Sequence, residues 1–131
     1  LIVVDTNVLA YFLLPGDFNA RADALFMQDP DWVAPIFWRS EFRNVLAGYL
    51  RRRSLGFDEV LRVQADAEAL LAGNEYEVDS RQVLALVRES DCTAYDCEFV
   101  ALAIHLGIRM VTMDAKLLRA FPAHTAALAP A

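Results

Sequence analysis

Two short apolar runs, each closed by an aspartate, constrain this chain most. "LIVVD" occupies residues 1–5 and "RMVTMD" residues 109–114. Runs this short and this apolar suit strands buried on both faces of a parallel sheet. Helical periodicity fills most of the chain between them. Parallel strands need long crossovers, so the pattern predicts an α/β fold. If both runs are parallel neighbours in one sheet, Asp5 and Asp114 stand at its carboxyl edge. Open α/β sheets bind their ligands at that edge.

The spacing predicts helices over residues 6–14, 19–28 and 38–53, a helix capped by Asp58 that reaches Leu71, and helices over 80–89, 93–107 and 115–121. Pro15-Gly16, Pro30, Gly73 and Gly107 punctuate them. Short strands are expected at "WVAP", at "YEV" (residues 76–78) and, along an edge, at "HTAAL". No linker, repeat or low-complexity segment interrupts the pattern. We expect one domain, a three-layer α/β/α sandwich around a small, mostly parallel sheet.

Hydrophobic residues make up 56% of the 131, which fits a chain with a packed core and not a disordered one. No apolar run approaches the roughly 20 residues that span a bilayer. No signal-peptide pattern is visible, so a cytoplasmic protein is expected. The two cysteines, Cys92 and Cys97, do not make a disulfide framework, and reduced thiols are the expectation. As a lone C-x4-C they are a weak metal motif.

The net charge of −6 argues against tight unaided binding to nucleic acid. The basic residues are unevenly spread, however. Arg39, Arg43, Arg51, Arg52 and Arg53 fall within fifteen residues, and Lys116 is the single lysine. A solvated helix end accounts for such a cluster. So does contact with phosphate or with an acidic partner, because guanidinium forks onto both.

Two further acids sit against the pattern of their helices. From Asp96, helical spacing runs through Phe99, Val100, Ala103 and Leu106, an apolar stripe. Glu41 begins a similar stripe through Val45 and Tyr49. Local readings exist for all four acids. Asp5 and Asp114 can cap the helices that follow them. Glu41 can favour a helix dipole. Thr93 and Asp96 fit a capping box. A cap does not explain why an acid aligns with a core stripe.

Four carboxylates in one cleft would repel. A pair about 4 Å apart costs about 4 kcal/mol at an effective dielectric of about 20. Either some are protonated or a divalent cation lies among them. Oxygen donors without histidine or cysteine suit Mg2+ or Mn2+. Such a site suits phosphoryl chemistry. Glu98 turns about 200° from Asp96 around the helix and is left out of the site. Asp91 reads as a turn residue, and His105, nine residues past Asp96, as structural or surface.

These residues carry a family resemblance. "VVDTNV" (3–8), "SEFRNVL" (40–46), "AYDCEFVALA" (94–103) and "MVTMDAKLL" (110–118) occur in register along nearly the whole chain. In this the chain resembles the PIN domain, and in particular the compact VapC-type toxins of bacterial toxin–antitoxin pairs. The resemblance implies a Mg2+- or Mn2+-dependent endoribonuclease. It carries the metal-binding and catalytic roles onto Asp5, Glu41, Asp96 and Asp114. It implies support from Asn7 and Thr112, with Thr6 as a helper. It further implies a homodimer and a cognate antitoxin that blocks the site. Arg39, Arg43 and Arg52 are candidate contacts for RNA or antitoxin.

Two other functions compete. A phosphoacceptor receiver domain also uses Mg2+ and acids at strand ends. It carries adjacent acids after the first strand, where this chain has Thr6-Asn7, and a lysine at a late strand end, whereas Lys116 lies beyond the strand. A non-enzymatic interaction module with a PIN-like fold would suit the acidic charge, but has no need of four mutually repelling acids.

Overall fold

The computed structural model describes residues 1–131. Its five strands are β1 (Ile2–Val4), β2 (Trp32–Pro35), β3 (Glu75–Tyr76), β4 (Met110–Thr112) and β5 (Thr125–Ala127). Every pairing is parallel, in the order β3-β2-β1-β4-β5. The helices are α1 (Thr6–Leu13), α2 (Asn19–Gln28), α3 (Trp38–Arg51), α4 (Phe57–Leu70), α5 (Ser80–Arg88), α6 (Ala94–Leu106) and α7 (Ala115–Ala120).

The strand order explains the layers. From β1 the chain steps outward to β2 and β3, with α1 to α4 in the crossovers. It then returns to β4 and β5 through α5, α6 and α7. Right-handed crossovers in opposite directions put the two helix groups on opposite faces. The contacts agree: α1 packs with α2, α3 and α4, whereas α6 packs with α5 and lies along β1, β2 and β4. The result is an α/β/α sandwich whose strand order reverses between β1 and β4. A crevice opens at such a reversal, at the carboxyl ends of the strands.

The apolar runs become the centre of the core. Val3, Val4 and Met110 are fully buried, as are Trp32, Trp38 and Phe42. Helix α6 is buried around most of its girth, from Cys97 through Phe99, Val100, Ala101, Leu102 and Ala103. It lies between the sheet and α5, so its first turn emerges at the sheet edge. Gly107 ends it in the left-handed region, at φ 67°, a conformation that only glycine adopts without strain. No helix is long and apolar enough to cross a membrane. Both cysteines are free and buried, and burial pushes their thiols up, away from the reactive thiolate.

Three local expectations shift. Helix α4 starts at Phe57 after Gly56, and Asp58 lies inside its first turn instead of capping it. Glu59 reaches back to accept from the Gly56 N–H at 3.0 Å, which fixes the earlier start. Strand β3 is Glu75–Tyr76, one residue ahead of "YEV". Its partner β2 ends at Pro35, and the Ile36 N–H bonded to the Tyr76 carbonyl is the last rung. Helix α3 stops at Arg51, with Arg53 in positive φ beyond it.

Candidate active site

Asp5 directly follows β1 and is the N-cap of α1. Its Oδ1 accepts from the Thr6 N–H at 2.8 Å. Its other oxygen accepts from the Thr112 hydroxyl at 2.6 Å and from Asn7 Nδ2 at 3.3 Å. The capping reading of Asp5 is therefore realised, but it uses one oxygen only. The second faces groups drawn from β4 and α1. Asp114 repeats the arrangement after β4: its Oδ1 accepts from the N–H groups of Lys116 and Leu117 at the start of α7. Thr112 accepts from the Asp114 N–H at 3.0 Å, so one hydroxyl ties together both strand-end acids.

Glu41 arrives from the first turn of α3. The Thr6 hydroxyl donates to its Oε1 at 2.8 Å, which docks Glu41 against the start of α1. Asp96 arrives from the first turn of α6. Its backbone N–H is capped by the Thr93 hydroxyl at 3.1 Å. The four acids thus sit at the beginnings of four helices, and each helix start adjoins the carboxyl edge of the sheet.

Three of the four carboxyls are held above their ordinary range, by burial first and by neighbouring charge second. Burial raises the Asp5 carboxyl to about 6, and the charges of Asp96 and Asp114 push the same way against the hydrogen bonds from Thr112 and Thr6. Burial raises Glu41 to about 7, aided by Asp5, Asp96 and Glu98 and opposed by Thr6. Asp96 is raised by burial and by Asp114, with the Thr93 hydroxyl and the Lys116 ammonium opposing. Burial is the main cause in each case, and like charge adds to it.

Glu98, set outside the quartet by its angle around the helix, is nonetheless felt by it. Its charge bears on Glu41, and its own carboxyl is raised by burial. A turn of about 200° around one helix moves a side chain only across a diameter of about 10–12 Å, which is still within electrostatic reach. Arg39 has a role inside the fold. Its Nε and Nη2 donate to the two carboxylate oxygens of Glu75 at 2.6 and 2.7 Å, and its Nη1 donates to Glu68 at 2.9 Å. The guanidinium fastens α3 to β3 and α4, with about a third of the side chain left exposed. Arg43 and Arg52 are exposed, Arg52 lying over the Tyr49 ring at 4.7 Å. His105 is exposed, as expected.

The donor set suits a hard divalent cation: carboxylate oxygens with raised affinity for positive charge. The Asn7 Oδ1 adds a buried acceptor with no hydrogen-bond partner. In the present arrangement no three acidic, histidine or cysteine side chains stand close enough to hold one ion. Asp5 and Asp114 are each turned toward a helix start, which is consistent with that spacing.

The profile of the PIN domain family matches residues 2–121. The chain belongs to the PIN domain family. Ribonuclease VapC3 of Pyrobaculum aerophilum is 26% identical over an alignment of 135 positions, covering 93% of this chain and 95% of that relative. Among solved structures, a toxin–antitoxin complex from Klebsiella pneumoniae superposes with TM-score 0.72 at 16% identity, over 100% of both chains. FitAcB from Neisseria gonorrhoeae superposes with TM-score 0.71 at 22% identity, over 99% of this chain and 98% of that one. The chain thus shares its fold with these solved structures along nearly its whole length.

Proposed function

We propose that this PIN domain protein is a metal-dependent endoribonuclease of the VapC type, the toxin of a toxin–antitoxin pair acting in the cytoplasm. The observation that supports the reading is that Asp5, Glu41, Asp96 and Asp114 stand at four helix starts beside the carboxyl edge where the strand order reverses. Two of them have carboxyls raised to about 6 and 7 by burial and mutual repulsion. Such an arrangement is costly without a cation and has no structural purpose that single caps would not serve.

In this reading Asp5, Asp96 and Asp114 would hold the principal Mg2+ or Mn2+, and Glu41 would hold a second ion or position the attacking water. Such a cation, when bound, would supply Lewis-acid chemistry at the phosphate. The chain's own groups do the rest. Thr112 and Asn7 fix the inner oxygen of Asp5. Thr6 donates to Glu41 Oε1 and so orients that carboxylate toward the cleft's water or second ion. In-line attack on a phosphodiester leaves a 5′-phosphate and a 3′-hydroxyl.

The antitoxin would cover the cleft and α3. A groove of about 250 Å3 between α3 and α4 is lined by Leu46, Leu50, Val60 and Leu61, with Arg43 at its side. A partner offering apolar side chains and acids there, and an arginine or lysine to the metal-free carboxylates, would match both surfaces. A homodimer is part of the same reading, testable by light scattering.

Expression of the chain alone should slow bacterial growth, and co-expression of the neighbouring gene should restore it. Mapping RNA ends after brief expression should reveal new 5′-phosphate ends at a few positions. Unchanged growth together with unchanged RNA would reject the toxin reading.

A further inference from the structure

The rings of Phe37 and Tyr95 lie face to face, with centroids 4.7 Å apart and planes 14° from parallel. The two residues come from different elements. Phe37 precedes α3, and its carbonyl accepts from the Glu41 N–H at 3.3 Å. Tyr95 lies in the first turn of α6, directly before Asp96. The stack therefore joins the two helix starts that deliver Glu41 and Asp96 to the cleft. It is open on one side: Tyr95 is 57% exposed, while Phe37 is half-buried beneath it. Ile36, next to Phe37, is 52% exposed and extends the apolar surface.

We propose that Tyr95, backed by Phe37, is the stacking platform for an unpaired base next to the scissile phosphate. The proposal rests on the ribonuclease reading above and adds the part of the substrate that the carboxylates do not hold. A metal–carboxylate centre can engage a phosphate but offers nothing to a base. The chain is acidic overall, with a net charge of −6, so long-range attraction contributes little to RNA binding. Stacking on an aromatic face is insensitive to net charge and accepts any base. An aromatic pair makes a better platform than a lone ring, because the inner ring holds the outer one at a fixed angle before the substrate arrives. Tyr95 and Asp96 leave the same turn of α6, and Phe37 and Glu41 the same turn at the start of α3, so a base on the stack lies beside the helix starts that carry the acids. Tyr95 is a positioning residue in this account and takes no part in the chemistry.

The alternative role is a plain staple between α3 and α6. Steady-state cleavage of a single-stranded RNA separates the two, using the wild type, Tyr95→Phe and Tyr95→Leu in Mg2+. Leucine keeps an apolar cover over Phe37 but offers no ring. A second RNA carries an abasic residue beside the mapped cleavage position. We expect Tyr95→Phe to stay within about twofold of wild type. Tyr95→Leu should raise KM about tenfold, as loss of one stacked base does, with kcat within about threefold. The abasic RNA should cost the wild type a similar factor and cost Tyr95→Leu nothing more. An unchanged KM in Tyr95→Leu overturns the proposal. So do two losses that multiply independently, or a fall in kcat that tracks a lowered melting temperature. If the wild type cleaves no RNA with either metal, the ribonuclease reading fails and this proposal falls with it; if the wild type cleaves and Tyr95→Leu matches it, only the platform falls.

Discussion

The hydroxyl of Thr112 donates to Oδ2 of Asp5 at 2.6 Å, across 107 residues of sequence. It joins the ends of β4 and β1, the neighbours at which the strand order reverses. The bond holds Asp5 below the value that burial alone would impose. Thr112→Val should therefore move the Asp5 carboxyl above about 6, since the buried acceptor loses its strongest donor. Carbon-detected NMR titration would show this directly. Mn2+ affinity at neutral pH should fall in calorimetry, because more of the carboxyl is protonated. The fold should survive at a cost of about 1–3 kcal/mol.

Metal-free stability should depend on pH in an unusual direction. The Asp5 and Glu41 carboxyls sit at about 6 and about 7 in the folded chain, against ordinary values of 3.8 and 4.5. Between about pH 4 and 7 the folded state binds more protons than the unfolded state. Stability contributed by these two groups must therefore fall as pH rises through that window. Taken whole, each shift corresponds to about 3 kcal/mol, so the two groups together set a ceiling of about 6 kcal/mol on the fall. Urea unfolding in EDTA at a series of pH values measures it. Mg2+ should restore stability most at the alkaline end, where the carboxylates are ionised. Stability that rises steadily from pH 5 to 7.5 without metal would contradict the shifts.

Asp96→Asn and Thr93→Ala should separate catalysis from capping. The cap of α6 is the Thr93 hydroxyl on the Asp96 N–H, which the Asn variant keeps. Asp96→Asn should lose nearly all turnover while its metal-free melting temperature holds or rises, since repulsion with Asp114 is relieved. Thr93→Ala should cost about 1 kcal/mol of stability and leave much of the turnover. Thermal melts and initial rates on the two variants check both expectations.

Much of this architecture was legible in the sequence. The two apolar runs ending in Asp5 and Asp114 foretold parallel strands and their carboxyl edge, because burial on both faces leaves a plain signature. The misfit of Asp96 with its stripe pointed to the candidate site. What was hidden depended on distance. Glu75 lies 36 residues from Arg39, and no local pattern announces that it takes the guanidinium. The aromatic stack of Phe37 on Tyr95 is likewise a product of tertiary packing. Glu98 lies off the Asp96 face, and its charge on Glu41 is a through-space effect that helical angles do not announce. Thr112 entered by family resemblance, and its bond to Asp5 supplies the physical reason.

The arginines of α3 should divide by role. Arg39→Met should lower the melting temperature, because Glu75 and Glu68 lose their partner and β3 loses its tie to α3. Its cleavage rate per folded molecule should stay near wild type. Arg52→Glu should leave both stability and cleavage nearly unchanged and weaken the complex with the antitoxin, measured by calorimetry against the product of the adjacent gene. Equal antitoxin affinity in Arg52→Glu would remove α3 from that interface.

The most direct measurement is cleavage of a single-stranded RNA by purified protein with Mg2+, Mn2+, Ca2+ or excess EDTA, beside single Asp5→Asn, Glu41→Gln, Asp96→Asn and Asp114→Asn variants. Mg2+ and Mn2+ should support cleavage to 5′-phosphate ends. Ca2+, with its looser coordination, should support it poorly. EDTA should abolish it, and each variant should lose at least a hundredfold in rate while remaining folded. Undiminished cleavage in EDTA, or full activity in any of the four variants, would contradict the account.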